Sequence, residues 1–144
     1  MPRAQSRSVA ELQTAGELPV SELIEECVVR APPEATLTDV ACLLVSANIG
    51  VVVLGAEDKV IGIVSERDIA RAVAEGRNPA TTQALDVAST SLIWCDANAT
   101  VAEIAAEMMD RYVRHLLVEV DGQLVGIVSA RDLLGAYGAA EEID

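Results

Sequence analysis

Apolar residues along this chain fall into two kinds of run, one at helical spacing and one continuous, and the two alternate in a fixed order. Val40, Leu43 and Leu44 recur at the three- and four-residue spacing of a helix face, behind Thr36 and Asp39, which have the spacing of an N-cap and its capping partner. They predict a helix that Asn48-Ile49-Gly50 ends. Val51-Val52-Val53-Leu54 reads as a buried strand, Gly55 to Lys59 as a hairpin turn, and Val60-Ile61-Gly62-Ile63-Val64 as its partner strand. Ser65 then caps a second helix running to about Glu75, closed by Gly76 and the Asn78-Pro79 turn. A short apolar run, Cys27-Val28-Val29, ahead of Pro32-Pro33 predicts a brief strand that opens the set.

The whole plan then returns. Leu92-Ile93-Trp94 predicts a strand and Thr100 to about Tyr112 a helix, begun by the full capping box Thr100-Val101-Ala102-Glu103. Leu116 to Val120 and Leu124 to Val128 predict strands about the Asp121-Gly122 turn, and a last helix starts at Ser129. The copy is ungapped: Gly62-Ile63-Val64-Ser65-Glu66-Arg67-Asp68 reappears as Gly126-Ile127-Val128-Ser129-Ala130-Arg131-Asp132, and Ala35-Thr36 as Ala99-Thr100. The order strand, helix, strand, strand, helix therefore occurs twice, one supersecondary unit used two times. We place the repeats at 20–79 and 80–138. Residues 1–19 form an N-terminal extension in which Ser8 to Leu18 suits a short helix, and residues 139–144 an acidic, frayed tail.

Composition narrows the function. With 144 residues, 51% of them apolar, the chain can bury a core. A net charge of −13 disfavours nucleic acid and anionic membranes, because the summed field repels phosphate polymers. No Phe, one Trp and two Tyr leave little on which to stack bases. Cys27, Cys42 and Cys95 form no C-x-x-C pair, and His115, the one imidazole of the sequence, cannot complete a zinc set. With no Walker loop either, the expectation is a protein that is not an enzyme. The basic start, Met1 to Arg7, is not followed by the apolar run of a signal peptide, and no stretch approaches the roughly 18 apolar residues of a membrane span. A cytoplasmic protein is expected, with neither membrane nor nucleic acid as partner.

Together the ungapped repeat, the Thr-capped first helix of each half, the Gly-apolar-x-Ser-x-x-Asp ending of each half and the run Val113-Arg114-His115-Leu116-Leu117-Val118 resemble the tandem CBS domain pair, or Bateman module. The resemblance extends from about Val20 to Tyr137. It implies an α/β (α+β) fold of two pseudo-symmetric β-α-β-β-α repeats packed sheet to sheet. It also implies a stand-alone regulatory module that senses adenosyl ligands (AMP, ADP, ATP or S-adenosylmethionine) in clefts between the repeats. No cofactor is required, a homodimer is expected, and the downstream protein is unknown. The alternative is a ligand-free dimerisation module.

By the same resemblance Asp68 and Asp132 accept hydrogen bonds from a ribose diol, while Ser65, Ser129 and the helix starts hold phosphate. Read on their own residues, both Ser-x-x-Asp sets are equally capping boxes, and Gly62 and Gly126 leave room for close approach just before the cap. Arg114 and His115 are the basic pair assigned to phosphate; Gly50 and Val51 replace them in the first repeat, so the two clefts differ. Arg67 and Arg131 oppose the dipole of their helices, which a ligand anion or interface carboxylate would explain and a snorkelling side chain would equally allow. The resemblance places the base against Val28, Val29, Ile49, Gly50 and Val51 in one cleft and Leu92, Ile93, Val113 and His115 in the other, with Ile63 and Ile127 flanking the ribose. Trp94 reads as packing. The helix at Thr38 to Ala47 carries a wider apolar face than its copy, which predicts that a second subunit covers part of it.

Overall fold

The computed structural model describes residues 14–24, 28–56 and 59–141. In chain order the elements are β1 (Arg30–Ala31), α1 (Leu37–Ala47), β2 (Val51–Ala56), β3 (Lys59–Ser65), α2 (Glu66–Ala74), β4 (Trp94–Asp96), α3 (Val101–Arg111), β5 (His115–Val120), β6 (Gln123–Ser129) and α4 (Ala130–Glu141). Short 3-10 turns at Val20–Glu22 and Ala84–Asp86 precede β1 and β4. The fold is mixed α and β, with two three-stranded sheets in the orders β1-β2-β3 and β4-β5-β6. In each, the first strand runs parallel to the second and the second antiparallel to the third. Strand, helix, strand, strand, helix is thus realised twice, as the apolar pattern predicts.

The first strand of each half is displaced from its predicted place. Cys27-Val28-Val29 and Leu92-Ile93-Trp94 were expected; the strands are Arg30–Ala31 and Trp94–Asp96. The apolar residues are the entry to the ladder: the Val53 N–H donates to the Val29 carbonyl and the Leu117 N–H to the Ile93 carbonyl, both at 2.9 Å, and pairing runs forward from there. Cys27 lies outside the described residues, as do residues 57 and 58 of the Gly55–Lys59 turn and most of the helix expected over Ser8 to Leu18, of which 14–17 are helical. The last helix continues to Glu141 where a frayed tail was expected from Ala139.

Two compact units result, Cys27–Leu92 and Met1–Glu26 with Ile93–Asp144. In the first, Leu37, Val40 and Leu44 of α1 pack with Val52, Leu54 and Val64 of the sheet and with Ala72 of α2. In the second, Val101, Ile104 and Met108 of α3 pack with Leu116, Val118, Val128 and Leu133. Each core is completed by a segment that lies outside its own β-α-β-β-α set and precedes the other set in sequence. Ala84 is fully buried in the first core and its counterpart Val20 in the second. Backbone bonds fix both segments. Leu37 N–H donates to the Thr82 carbonyl at 3.0 Å and Ala84 N–H to the Ala35 carbonyl at 2.8 Å. Likewise Val101 N–H donates to the Leu18 carbonyl at 2.8 Å and Val20 N–H to the Ala99 carbonyl at 2.7 Å.

These segments also explain Gly62 and Gly126, whose lack of a side chain was expected to admit a ligand. The approach is made by the chain itself. A Cβ on Gly62 would lie 3.1 Å from the Ser89 carbonyl oxygen and 3.2 Å from the Ala88 Cβ, and one on Gly126 would lie 2.7 Å from Ile24 Cδ1 and 2.9 Å from its Cβ. Gly126→Ala therefore has to push Ile24 from its seat, an overpacking cost of about 1–3 kcal/mol. Gly135→Ala, inside α4 with nothing within 4 Å of the new methyl, has the opposite sign and stabilises by about 0.5–1 kcal/mol. Urea denaturation of the two variants beside the wild type checks both signs.

Candidate functional site

Both Ser-x-x-Asp sets are built as reciprocal caps. Ser65 is extended, its Oγ accepts the Asp68 N–H at 3.2 Å, and Asp68 Oδ2 accepts the Ser65 N–H at 2.8 Å. Ser129 and Asp132 repeat this at 3.1 and 2.8 Å. The N–H of the first helical residue is also engaged, Glu66 by the Gly50 carbonyl at 3.0 Å and Ala130 by the Arg114 carbonyl at 2.9 Å. In the first turn this leaves the N–H groups of Arg67 and Arg131 without a partner among the described residues. At α1 the contrast is plain: Leu37, Thr38 and Asp39 N–H donate to the Thr82 carbonyl, the Pro79 carbonyl and Thr36 Oγ1. That helix start is closed to an anion, whereas those of α2 and α4 each keep one inner donor.

Capping occupies one oxygen of each carboxylate and leaves the other, which retains its capacity to accept hydroxyl donors. The cap and ligand readings are therefore compatible at each Asp. The two carboxylates are not equivalent. Asp68 Oδ1 lies 3.5 Å from an Arg71 guanidinium nitrogen, a half-exposed pair worth little in itself. Gly135 stands at the matching position of the second repeat, so Asp132 lacks that cation.

Strand register gathers the rest. His115 is the cross-strand partner of Ser129, and Val51 that of Ser65. Arg114, exposed on the bend before β5, is thereby set beside the α4 start through its carbonyl bond to Ala130, and Gly50 is set in the same way beside the α2 start. Arg67 and Arg131 are exposed on their first turns. Val28, Val51, Leu92 and Ile127 are half-buried, and so are Val29 and Ile49 against the first core and Ile93 and Val113 against the second. Ile63 is buried, and its N–H and carbonyl are both engaged by Ser89, at 3.0 and 2.9 Å. Glu66, a residue the sequence reading passed over, folds its carboxylate over Gly50: Oε1 lies 3.5 Å from where a Cβ on that glycine would be. The signal available was its exchange for Ala130 within otherwise matching signatures.

The family scan matches the CBS domain model at residues 20–75 and again at 84–139, which together are most of the chain. The chain belongs to the CBS domain family. Protein MK0525 of Methanopyrus kandleri is 33% identical over 118 residues, a match covering 80% of this chain and 60% of that protein's length. Among solved structures, the CBS domain protein PAE2072 from Pyrobaculum aerophilum, complexed with AMP, is 32% identical with a TM-score of 0.72, covering 85% of this chain and 99% of that one. The CBS pair of MJ0100, in complex with 5′-methylthioadenosine and S-adenosyl-L-methionine, shares the fold at a TM-score of 0.74 and 22% identity, with 84% and 96% covered.

Among the described residues no cluster of His, Cys, Asp and Glu suits a metal ion, and no helix is long and apolar enough to cross a membrane. In this CBS pair Cys95 is half-buried, and burial first, then Asp96, Glu119 and Glu107, push its thiol up to about 11. Cys42 is exposed on α1. Because the thiolate is the reacting species, iodoacetamide at pH 8 should modify Cys42 well before Cys95, as peptide mass spectrometry would show. The linkage has a definite sign. The folded state holds the Cys95 proton more tightly than the unfolded chain, so this contribution to stability is complete below the ordinary thiol value and is lost as pH rises toward about 11.

Proposed function

We propose that this CBS pair is a regulatory module that binds an adenosyl ligand at its Ser-x-x-Asp sites and passes occupancy on to a protein partner. The observation that carries the reading is the constellation at the start of α4. An Asp132 oxygen not engaged by the cap can accept ribose hydroxyls, an inner-turn N–H at Arg131 can meet an anion, and Arg114 and His115 stand beside both. Support comes from the AMP complex of PAE2072, the relative at 32% identity, and from the adenosyl ligands of MJ0100. Family members are generally regulatory modules rather than enzymes. The mechanism is a population shift, whose size is limited by the ligand's differential affinity for two arrangements of the protein.

We further propose a homodimer as the working form. Val45 on α1 is 82% exposed and Met109, its counterpart on α3, 75% exposed, so the same helix position presents apolar surface in both repeats. Covering both with a second copy removes that surface from water. Light scattering at micromolar concentration should give twice the chain mass, and Val45→Asp with Met109→Asp should lower it.

Calorimetry with AMP, ADP, ATP and S-adenosylmethionine tests the ligand reading directly. Asp68→Ala and Asp132→Ala should each weaken binding while the fold survives, since loss of a cap costs only about 0.5–2 kcal/mol. If both variants bind like the wild type, the carboxylates serve as caps alone and the ligand-free interaction module is the better description. Arg114→Ala should weaken ATP and ADP by about ten- to a hundredfold and adenosine hardly at all, because a charge-assisted phosphate contact is worth roughly 1.5–3 kcal/mol.

A further inference from the structure

The two Ser-x-x-Asp sites share a backbone and differ in the charge placed over it. In the second repeat the residue whose carbonyl caps the helix is Arg114 and the first helical residue is Ala130. In the first repeat these positions hold Gly50 and Glu66. The exchange is concerted: where one site has a cation and a methyl, the other has no side chain and a carboxylate. Glu66 is exposed, and its Oε1 lies 3.5 Å from where a Cβ on Gly50 would be, the position that the Arg114 Cβ holds in the other copy. Arg67 and Arg131 are common to both sites and cancel in the comparison. Arg71, which only the first site has, lies toward Asp68 Oδ1 on the next turn and not over Gly50.

We infer that the sites sort adenosyl ligands by the charge of the 5′ substituent, with Glu66 as the specificity-determining residue of the first. The site at Ser129 and Asp132 takes the phosphorylated ligand. The site at Ser65 and Asp68 refuses it, because a phosphate approaching the Arg67 N–H meets the Glu66 carboxylate at close range, and the like charges repel. A neutral thioether or a cationic sulfonium at the same place meets no such penalty, and the sulfonium is attracted. The inference rests on the adenosyl-binding reading given above and adds to it which ligand each site selects.

The test converts one site into the other. Gly50 tolerates a side chain, since its new Cβ would meet only Glu66 Oε1 at an ordinary contact distance of 3.5 Å. The double variant Gly50→Arg with Glu66→Ala copies the second site's pair, and Ala130→Glu places the first site's carboxylate in the second. Full-length protein is titrated with AMP, adenosine and S-adenosylmethionine by calorimetry, with each variant's fold confirmed by its circular dichroism melt. The wild type should bind about one AMP per chain strongly. The double variant should gain a second AMP site, tighter by about tenfold or more, and lose S-adenosylmethionine affinity there, with adenosine little changed. Ala130→Glu should weaken the AMP site by a similar factor, giving an independent reading should the double variant fail to fold. Two equal AMP sites in the wild type, or AMP binding unchanged in a folded variant, overturn charge sorting while leaving the adenosyl function intact. No binding of any of the three ligands to the wild type overturns that function and the sorting with it.

Discussion

The bond from the Glu66 N–H to the Gly50 carbonyl, with its counterpart from Ala130 to Arg114, ties the first residue of a helix to the residue just before a strand, and the chemistry of both sites depends on it. A helix start must find acceptors for its leading N–H groups. Here the acceptor comes from the neighbouring chain crossing, so two positions sixteen residues apart in sequence become adjacent in each repeat. The Ser side chain and the Asp oxygen then take their own shares of the helix start, and one inner N–H and one carboxylate oxygen remain. Because the backbone arrangement is repeated, whatever side chains stand at the tied positions decide how the two copies differ.

The capping requirement also explains why each unit needs chain from outside its β-α-β-β-α set. The first turn of α1 is closed by carbonyls of Pro79 and Thr82, and the first N–H of α3 is taken by that of Leu18. The segments holding those carbonyls bury Ala84 and Val20 in the two cores and press against Gly62 and Gly126. A single small residue thus links sheet edge and closing segment in each unit, which makes glycine at these places a packing requirement. Nothing comparable restricts Gly50, where a side chain has room.

Much of this was legible in the sequence. Helical spacing in α1 and continuous apolar runs in β2 and β3 are direct consequences of one-sided and two-sided burial, and the caps announce themselves by residue type at fixed spacing. The ungapped copy then doubled every signal. The short parallel strands were misplaced because a parallel edge strand is defined by its hydrogen-bond partner and not by its own residues; Arg30 and Asp96 carry no strand signal. Gly62 and Gly126 misled for a related reason: a missing side chain reports that something comes close and cannot say what. Glu66 went unnoticed because an acidic residue at the first helical position is an ordinary favourable choice. Its meaning depends on Gly50 beneath it, a contact between residues whose proximity the sequence does not display.

The charge of the whole chain gives those few side chains their weight. At −13 the molecule's field acts against every anionic ligand alike, and over distances beyond about 8 Å it is largely screened at physiological salt. Discrimination among nucleotides therefore has to come from groups in contact with the phosphate. On the proposed reading, with one inner N–H per site as the common backbone contribution, the balance falls to the side chain at position 50 or 114 and the one at 66 or 130. A cationic ligand works with the general field and a neutral one is indifferent to it, whereas a phosphorylated one needs a local cation to offset it. On the proposed reading, a strongly acidic chain that sets Arg114 and Ala130 at one site against Gly50 and Glu66 at the other separates its ligands by charge through that exchange.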